Sequence, residues 1–410
     1  MTFYIGQKSA GEIFLGKKKI GRLYLGQTLV HTTKVVSKPT FLEYVESAGG
    51  AYIDTGILPA YDMTVKAKYK YTQLNNTFNP IFGMRTAAVG TGNNLFWAGM
   101  HYTDKQAYLR FGGNSINYAM GDSALDVIEL TANPDGVFIN GVDTGARYYD
   151  GAMTQNARLM YLFTINNQYG ADGGLGETNA RVYSFEVYDG NGVLIQDLRP
   201  ALDPNGKVGM YDTVTKQYFY NAGTGELKAG GRFVESIVFD GNSFIDTGIA
   251  HQTCTIETII KFEETGTRQL MGFGSGTGQY WGKAANQTTF EYFSGTNALD
   301  KTDVRLEYNC DDPAAPVLTM YADGKSRTGS VGTKVSSMPY TIGGLKSYAA
   351  ATSTNYQFTG EVWGQKTYIG GELVQDLRPY VDSNGVACIK DVVTDTLFYN
   401  QGTGTLTYTE

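Results

Sequence analysis

Cysteine is nearly missing from this chain. There are three in 410 residues, at Cys254, Cys310 and Cys388, and none in the first 253. An odd set without Cys-x-x-Cys spacing is neither a disulfide framework nor a metal knot. Cys254 alternates with polar neighbours in TCTIETIIKF and reads as a small buried apolar residue. The three histidines, His31, His101 and His251, stand apart from any Ser/His/Asp or Cys/His string. The paired carboxylates of a jelly-roll glucanase, Glu-x-Asp-x-x-Glu, are also missing. Glu186 and Asp189 have the wrong spacing and point to opposite faces of a strand. The chain is therefore expected not to be an enzyme.

Excess positive charge is missing too. A net charge of −7 argues against nucleic acid as a main partner. No apolar run is long enough to insert in a membrane. Lys17–Lys19 lie inside a β-like pattern with no apolar segment after them, so no secretory signal is expected and folding is placed in a reducing cytoplasm. GTG and GSGTG strings occur, but no helix carrying Lys-Ser/Thr follows, which removes the basis for a phosphate loop. No segment shows a sustained helical period with caps.

What the chain has instead is glycine (52), tyrosine (30) and phenylalanine (20). Gly-rich turns between Tyr/Phe-rich segments predict an all-β protein. Over residues 63–71 one face reads Met, Val, Ala, Tyr, Tyr and the other Thr and Lys, a half-buried strand. Hairpin signals fall at Asn140-Gly141, Asp323-Gly324, Asn205-Gly206 and Asn384-Gly385.

Two scales of repetition organise the sequence. At the start, Tyr4-Ile5-Gly6, Phe14-Leu15-Gly16 and Tyr24-Leu25-Gly26 recur every ten residues. They predict short strands too small to bury their own apolar side chains. Residues 1–38 are therefore expected to dock or oligomerise through Tyr4, Ile5, Phe14, Leu15, Tyr24 and Leu25. On the larger scale, Ile53-Asp54-Thr55-Gly56-Ile57 recurs as Ile245-Asp246-Thr247-Gly248-Ile249. Gln196-Asp197-Leu198-Arg199-Pro200 recurs at 375–379, and Phe219-Tyr220-Asn221 at 398–400. These motifs predict a tandem duplication, residues 39–230 and 231–410, the second copy shorter in its middle. Short strands at regular spacing predict a sandwich in each copy.

The strings YIDTGI, GVFINGVDTG, LTMYADGKSRTG and ARVYSFEVYDGNGVLIQDLRP resemble the concanavalin A-like, or laminin-G-like, jelly roll. The closing GKVGMYDTVTKQYFYNAGTGEL resembles a C-terminal extension of such domains in tailed-phage and prophage virion proteins. The opening FLGKKKIGRLYLGQTLV resembles phage virion N-termini. The resemblance implies two tandem jelly-roll sandwiches behind a short β module. It leaves the activity open, since lectins, adhesins and capsid parts share the fold.

Glycan binding is the site expectation. Phe96-Trp97 with Tyr102 in the first copy, and Tyr280-Trp281 in the second, follow Gly-rich loops and offer ring faces for sugars. The competing reading is a sandwich-core tryptophan. Trp363 is read as core. Asp54 and Asp246 mark where calcium would be sought, but a single Asp before Thr-Gly reads as a turn acceptor, and no metal or cofactor is expected. Asp197–Arg199 and Asp376–Arg378 share strand faces and read as structural pairs. Together these observations lead to a phage virion accessory protein: a capsid decoration, head fibre or tail fibre. It would attach to other virion proteins, form a homo-oligomer and display lectin-like domains at the virion surface. A bacterial surface adhesin and a ligand-free spacer are the alternatives.

Overall fold

A computed structural model describes residues 14–15, 18–19, 22–25, 28–32, 39–74, 78–86, 95–112, 114–148, 158–167, 178–250, 254–262, 269–273, 280–283, 289–292, 295–298, 303–309, 317–322, 325–330, 339–343 and 358–410. Of these, the residues before 39, those within 262–304 and scattered others are described by their backbone alone. Among the described residues there is no α-helix; a single 3₁₀ turn, Gly121–Leu125, interrupts the strands.

The chain is all-β and forms two tandem sandwiches. In the first, an eleven-stranded sheet faces a seven-stranded one. The large sheet runs Val142–Asp143, Gly136–Ile139, Ile128–Asn133, Thr64–Gln73, Asn179–Tyr188, Leu194–Leu202, Val208–Asp212, Tyr218–Phe219. The second large sheet repeats this order with Lys325–Ser330, Val317–Ala322, Asp303–Asn309, Thr255–Phe262, Thr359–Ile369, Glu372–Val381, Ala387–Asp391, Thr396–Phe398. It faces a six-stranded sheet.

The alternating pattern sets the packing. In Thr64–Gln73, Val65, Ala67, Tyr69 and Tyr71 are buried against the opposite sheet while Lys66, Lys68 and Lys70 face outward. Tyr71 donates its hydroxyl to Asn79 O at 2.9 Å, which satisfies a polar tip inside the core. Cys254 is fully buried in the second core, beside Ile256 and Ile260.

The repeated motifs close the fold. Gln196 Nε2 donates to Thr55 O (2.8 Å) and Gln375 Nε2 to Thr247 O (3.0 Å), tying the large sheet to the small one in each copy. Asp212 Oδ1 accepts from Asp197 N, and Asp391 Oδ1 from Asp376 N, both at 2.9 Å. Asn221 and Asn400 pin the closing GTG loops: Oδ1 accepts from Gly223 N and Gly402 N, and Nδ2 donates to Gly225 O and Gly404 O.

Of the N-terminal module, Phe14–Leu15 pairs with Lys18–Lys19 and Arg22–Leu25 with Thr28–Thr32, two antiparallel hairpins. The side chains of Phe14, Leu15, Tyr24 and Leu25, and all of Tyr4 and Ile5, lie outside the described residues.

Between the sandwiches the chain passes through Gly230-Gly231. There is no room for a Cβ at either: one would strike Tyr44, the other the Tyr380 ring. Glu43 N donates to Gly231 O at 2.7 Å. This junction is packed rather than a loose tether.

Candidate functional site

The expected aromatic platforms come first. Phe96 and Trp97 are neighbours in the Leu95–His101 strand, so their rings leave opposite faces. Phe96 is fully buried between the sheets, 5.0 Å from Phe111 and 5.5 Å from Tyr148 by ring centroids. Trp97, 3% exposed, lies on the outer face under Phe78, Leu95 and Ile165, with its ring 4.6 Å from that of Phe78. The guanidinium of Arg110 sits 5.6 Å from the Trp97 ring and 4.9 Å from Tyr108. Neither Phe96 nor Trp97 offers an open ring face, which corrects the platform expectation for this pair. The unbroken apolar run LFWAG carried the signal, because a strand buried on both faces reads as continuous rather than alternating. Tyr102 is 53% exposed in the turn after that strand. Tyr280 and Trp281 open the Tyr280–Lys283 strand, and their rings lie outside the described residues.

The aspartates of the repeated Asp-Thr-Gly serve turns. Asp54 Oδ1 accepts from Gly56 N (2.9 Å) and Asp246 Oδ1 from Gly248 N (3.0 Å). Arg199 pairs with Asp197 at 2.6 Å and Arg378 with Asp376 at 2.7 Å.

Sequence reading missed the position that stands out in the structure. In Thr359–Ile369 the register against Thr255–Phe262 shifts: Gly364 pairs with Ile259 and Val362 with Ile260. Trp363 is the extra residue of this β-bulge, and the bulge aims its ring to the outer face, where it is half-buried. The expectation that Trp363 is core is thus corrected. The first copy has the same bulge at Tyr183, since Ser184 pairs with Lys68 and Val182 with Tyr69.

The two bulges have different surroundings. Beside Tyr183 the outer face is closed by ion pairs: Lys68–Glu129 at 2.7 Å, and Arg199 with Glu186 at 2.7 Å. Tyr183 itself packs edge-on against Tyr44, and burial pushes its hydroxyl up to about 12. In the second copy Lys68 is replaced by Ile259, Glu129 by Arg305 and Ser184 by Gly364. The place of the Lys68–Glu129 pair is taken by an open groove of about 320 Å³. Trp363 and the 49% exposed Ile259 give it an apolar strip, and Glu257, Arg305, Lys366, Asp376 and Arg378 ring it. Gln365 also lines it. Both polar atoms of the Gln365 amide are buried without a hydrogen-bond partner, at the position occupied by core Phe185 in the first copy.

No protein-family model matches the chain, and no curated protein matches it. Among solved structures, domains LG4-5 of the mouse laminin alpha1 chain align at 11% identity over 83% of this chain and 94% of that one, with a TM-score of 0.26. A point mutant of NanB sialidase from Streptococcus pneumoniae aligns at 11% identity over 89% of this chain and 75% of that one, also at 0.26. At this level the likeness adds nothing to what the sheets themselves show.

Proposed function

We propose that this chain is an adhesion protein that binds glycans through the Trp363 groove of its second sandwich, by binding and not by catalysis. One observation carries the reading. Two copies of one sandwich share a bulged aromatic, and only in the second do Ile259, Arg305 and Gly364 replace the residues that close the face. An exposed aromatic and aliphatic strip ringed by donors and acceptors matches the chemistry of a sugar, with apolar C–H faces and polar edges. The expected setting is the surface of a phage virion, where residues 1–38 attach the chain to other virion proteins and oligomerise it. The opening and closing segments support that setting by their resemblance to virion proteins.

The test returns the closing ion pair to its place. Ile259→Lys with Arg305→Glu recreates Lys68–Glu129 over the groove, on one exposed and one half-buried position. Glycan-array binding by the full chain should disappear while the melting temperature stays within about 2 °C. Binding that persists would place the site elsewhere. For the virion setting, mass spectrometry of purified particles should find the chain; its presence in cell walls and absence from particles would favour the bacterial adhesin.

A further inference from the structure

The groove's charges say which sugars it takes, an inference that rests on the glycan-binding reading. Three cations line it, Arg305, Lys366 and Arg378. Each has an acid in reach. Asp376 Oδ2 accepts from Arg378 Nη2 at 2.7 Å and Nε at 3.2 Å. Glu257 stands directly across from Lys366 in adjacent strands, where same-face side chains meet. Glu307 lies 3.6 Å from Arg305, whose guanidinium also covers the Tyr321 ring at 4.0 Å. Three carboxylates thus stand beside three cations, and the groove has no net positive charge to draw an acidic ligand. A carboxylate or sulfate at Arg378 would have to displace the nearly buried Asp376, and at Lys366 or Arg305 it would face Glu257 and Glu307.

Sugar hydroxyls fit this surroundings better. Each both donates and accepts, and an acid beside a base offers both partners. We infer that the groove selects a neutral oligosaccharide laid across the strands, one ring resting on Trp363 and Ile259 between the Arg305 and Arg378 ends. Four strands lie side by side from Asp303–Asn309 to Glu372–Val381. Three steps of ~4.8 Å give a path of about 14 Å, roughly three sugar rings. At the equivalent place in the first copy the Lys68–Glu129 pair spans the strands, so one such site is expected among the described residues.

The experiment uses the full chain against arrays of neutral and of sialylated or uronate-bearing oligosaccharides, followed by calorimetry with linear neutral oligosaccharides of increasing length. Expected are neutral ligands only, one site per chain, and affinity that rises to about three rings and then levels. Affinity should change less than twofold between low and high salt, because no counterion is exchanged for ligand charge. Glu257→Gln and Arg378→Gln should each weaken binding about tenfold, the worth of a hydrogen bond to a charged group. Preference for acidic sugars with steep loss in salt overturns the inference and leaves the glycan reading standing. Two equivalent sites overturn the division between the copies. Failure to bind any glycan overturns both the inference and the reading beneath it.

Discussion

Lys390 of the second sandwich reaches the carboxylate of Glu43 in the first, with Nζ 2.6 Å from Oε1 and 2.7 Å from Oε2. The Tyr380 hydroxyl donates to the same carboxylate at 2.6 Å, and Asp395 holds Lys390 from the other side at 2.7 Å. The Lys390 side chain is only 8% exposed. Together with the Gly230-Gly231 junction, this contact sets one sandwich against the other.

Glu43→Ala should loosen that junction. It leaves Lys390 and the Tyr380 hydroxyl short of an acceptor, at a cost of about 2–4 kcal/mol, because removing one partner strands the other. Thermal unfolding should change from one coupled transition to two. A single unshifted transition would show that the ion pair does not couple the sandwiches.

Alkaline pH should act on the same contact. Burial pulls Lys390 down, but its hydrogen bonds to Asp395 and Glu43 outweigh burial and leave it raised. Burial, then the bond to Glu43, pushes Tyr380 far up. Both groups hold their protons more tightly folded than unfolded. The stability they add is complete below about pH 10 and is lost as pH rises beyond it, toward the folded values. Unfolding midpoints between pH 8 and 11 check this, and Lys390→Met should flatten the decline.

The two tryptophans should separate stability from binding. Trp97→Ala empties a buried site and should cost about 3–5 kcal/mol. Trp363→Ala, on the half-exposed bulge, should cost about 1 kcal/mol or less while abolishing glycan binding. The reverse pattern would return the site to the Phe96-Trp97 strand.

Asp391 is 1% exposed and accepts from Asp376 N (2.9 Å), Val393 N (3.1 Å) and Thr394 Oγ1 (2.7 Å). Asp391→Ala should destabilise by about 3 kcal/mol through stranded donors, and Asp391→Asn by much less, since its amide oxygen still accepts. Equal losses from both in chemical denaturation would show that charge, not acceptance, matters there.

The sandwiches were legible in the sequence wherever one sheet face meets water, as in residues 63–71, because alternation then records burial directly. The duplicated motifs were legible as repeats, and the structure explains them as cross-sheet and turn hydrogen bonds made by Gln196, Asp212, Asn221 and their counterparts. The Trp363 site was not, because one bulged residue reverses every later position and leaves no compositional mark. Laying Lys68, Glu129 and Ser184 beside Ile259, Arg305 and Gly364 would have exposed it, but that needs the strand pairing first. Glu43 and Lys390 are too far apart in the chain for any local pattern to connect them.

Gln365 provides the last prediction. It stands where the first copy has Phe185, a fully buried core residue, and its amide is buried with no partner for either polar atom. An unpaired buried amide costs about 1–3 kcal/mol. Gln365→Leu removes that cost with a side chain of similar volume, so the second sandwich should gain about 1–2 kcal/mol. Because Gln365 supports the groove wall from its buried side, calorimetry on the same variant reports whether the core beneath shapes the site. A more stable protein with weakened glycan affinity would mean that the second copy gives up core stability for its site, as strained functional positions do. A less stable protein would mean that the amide is satisfied and that the polar residue belongs to the fold alone.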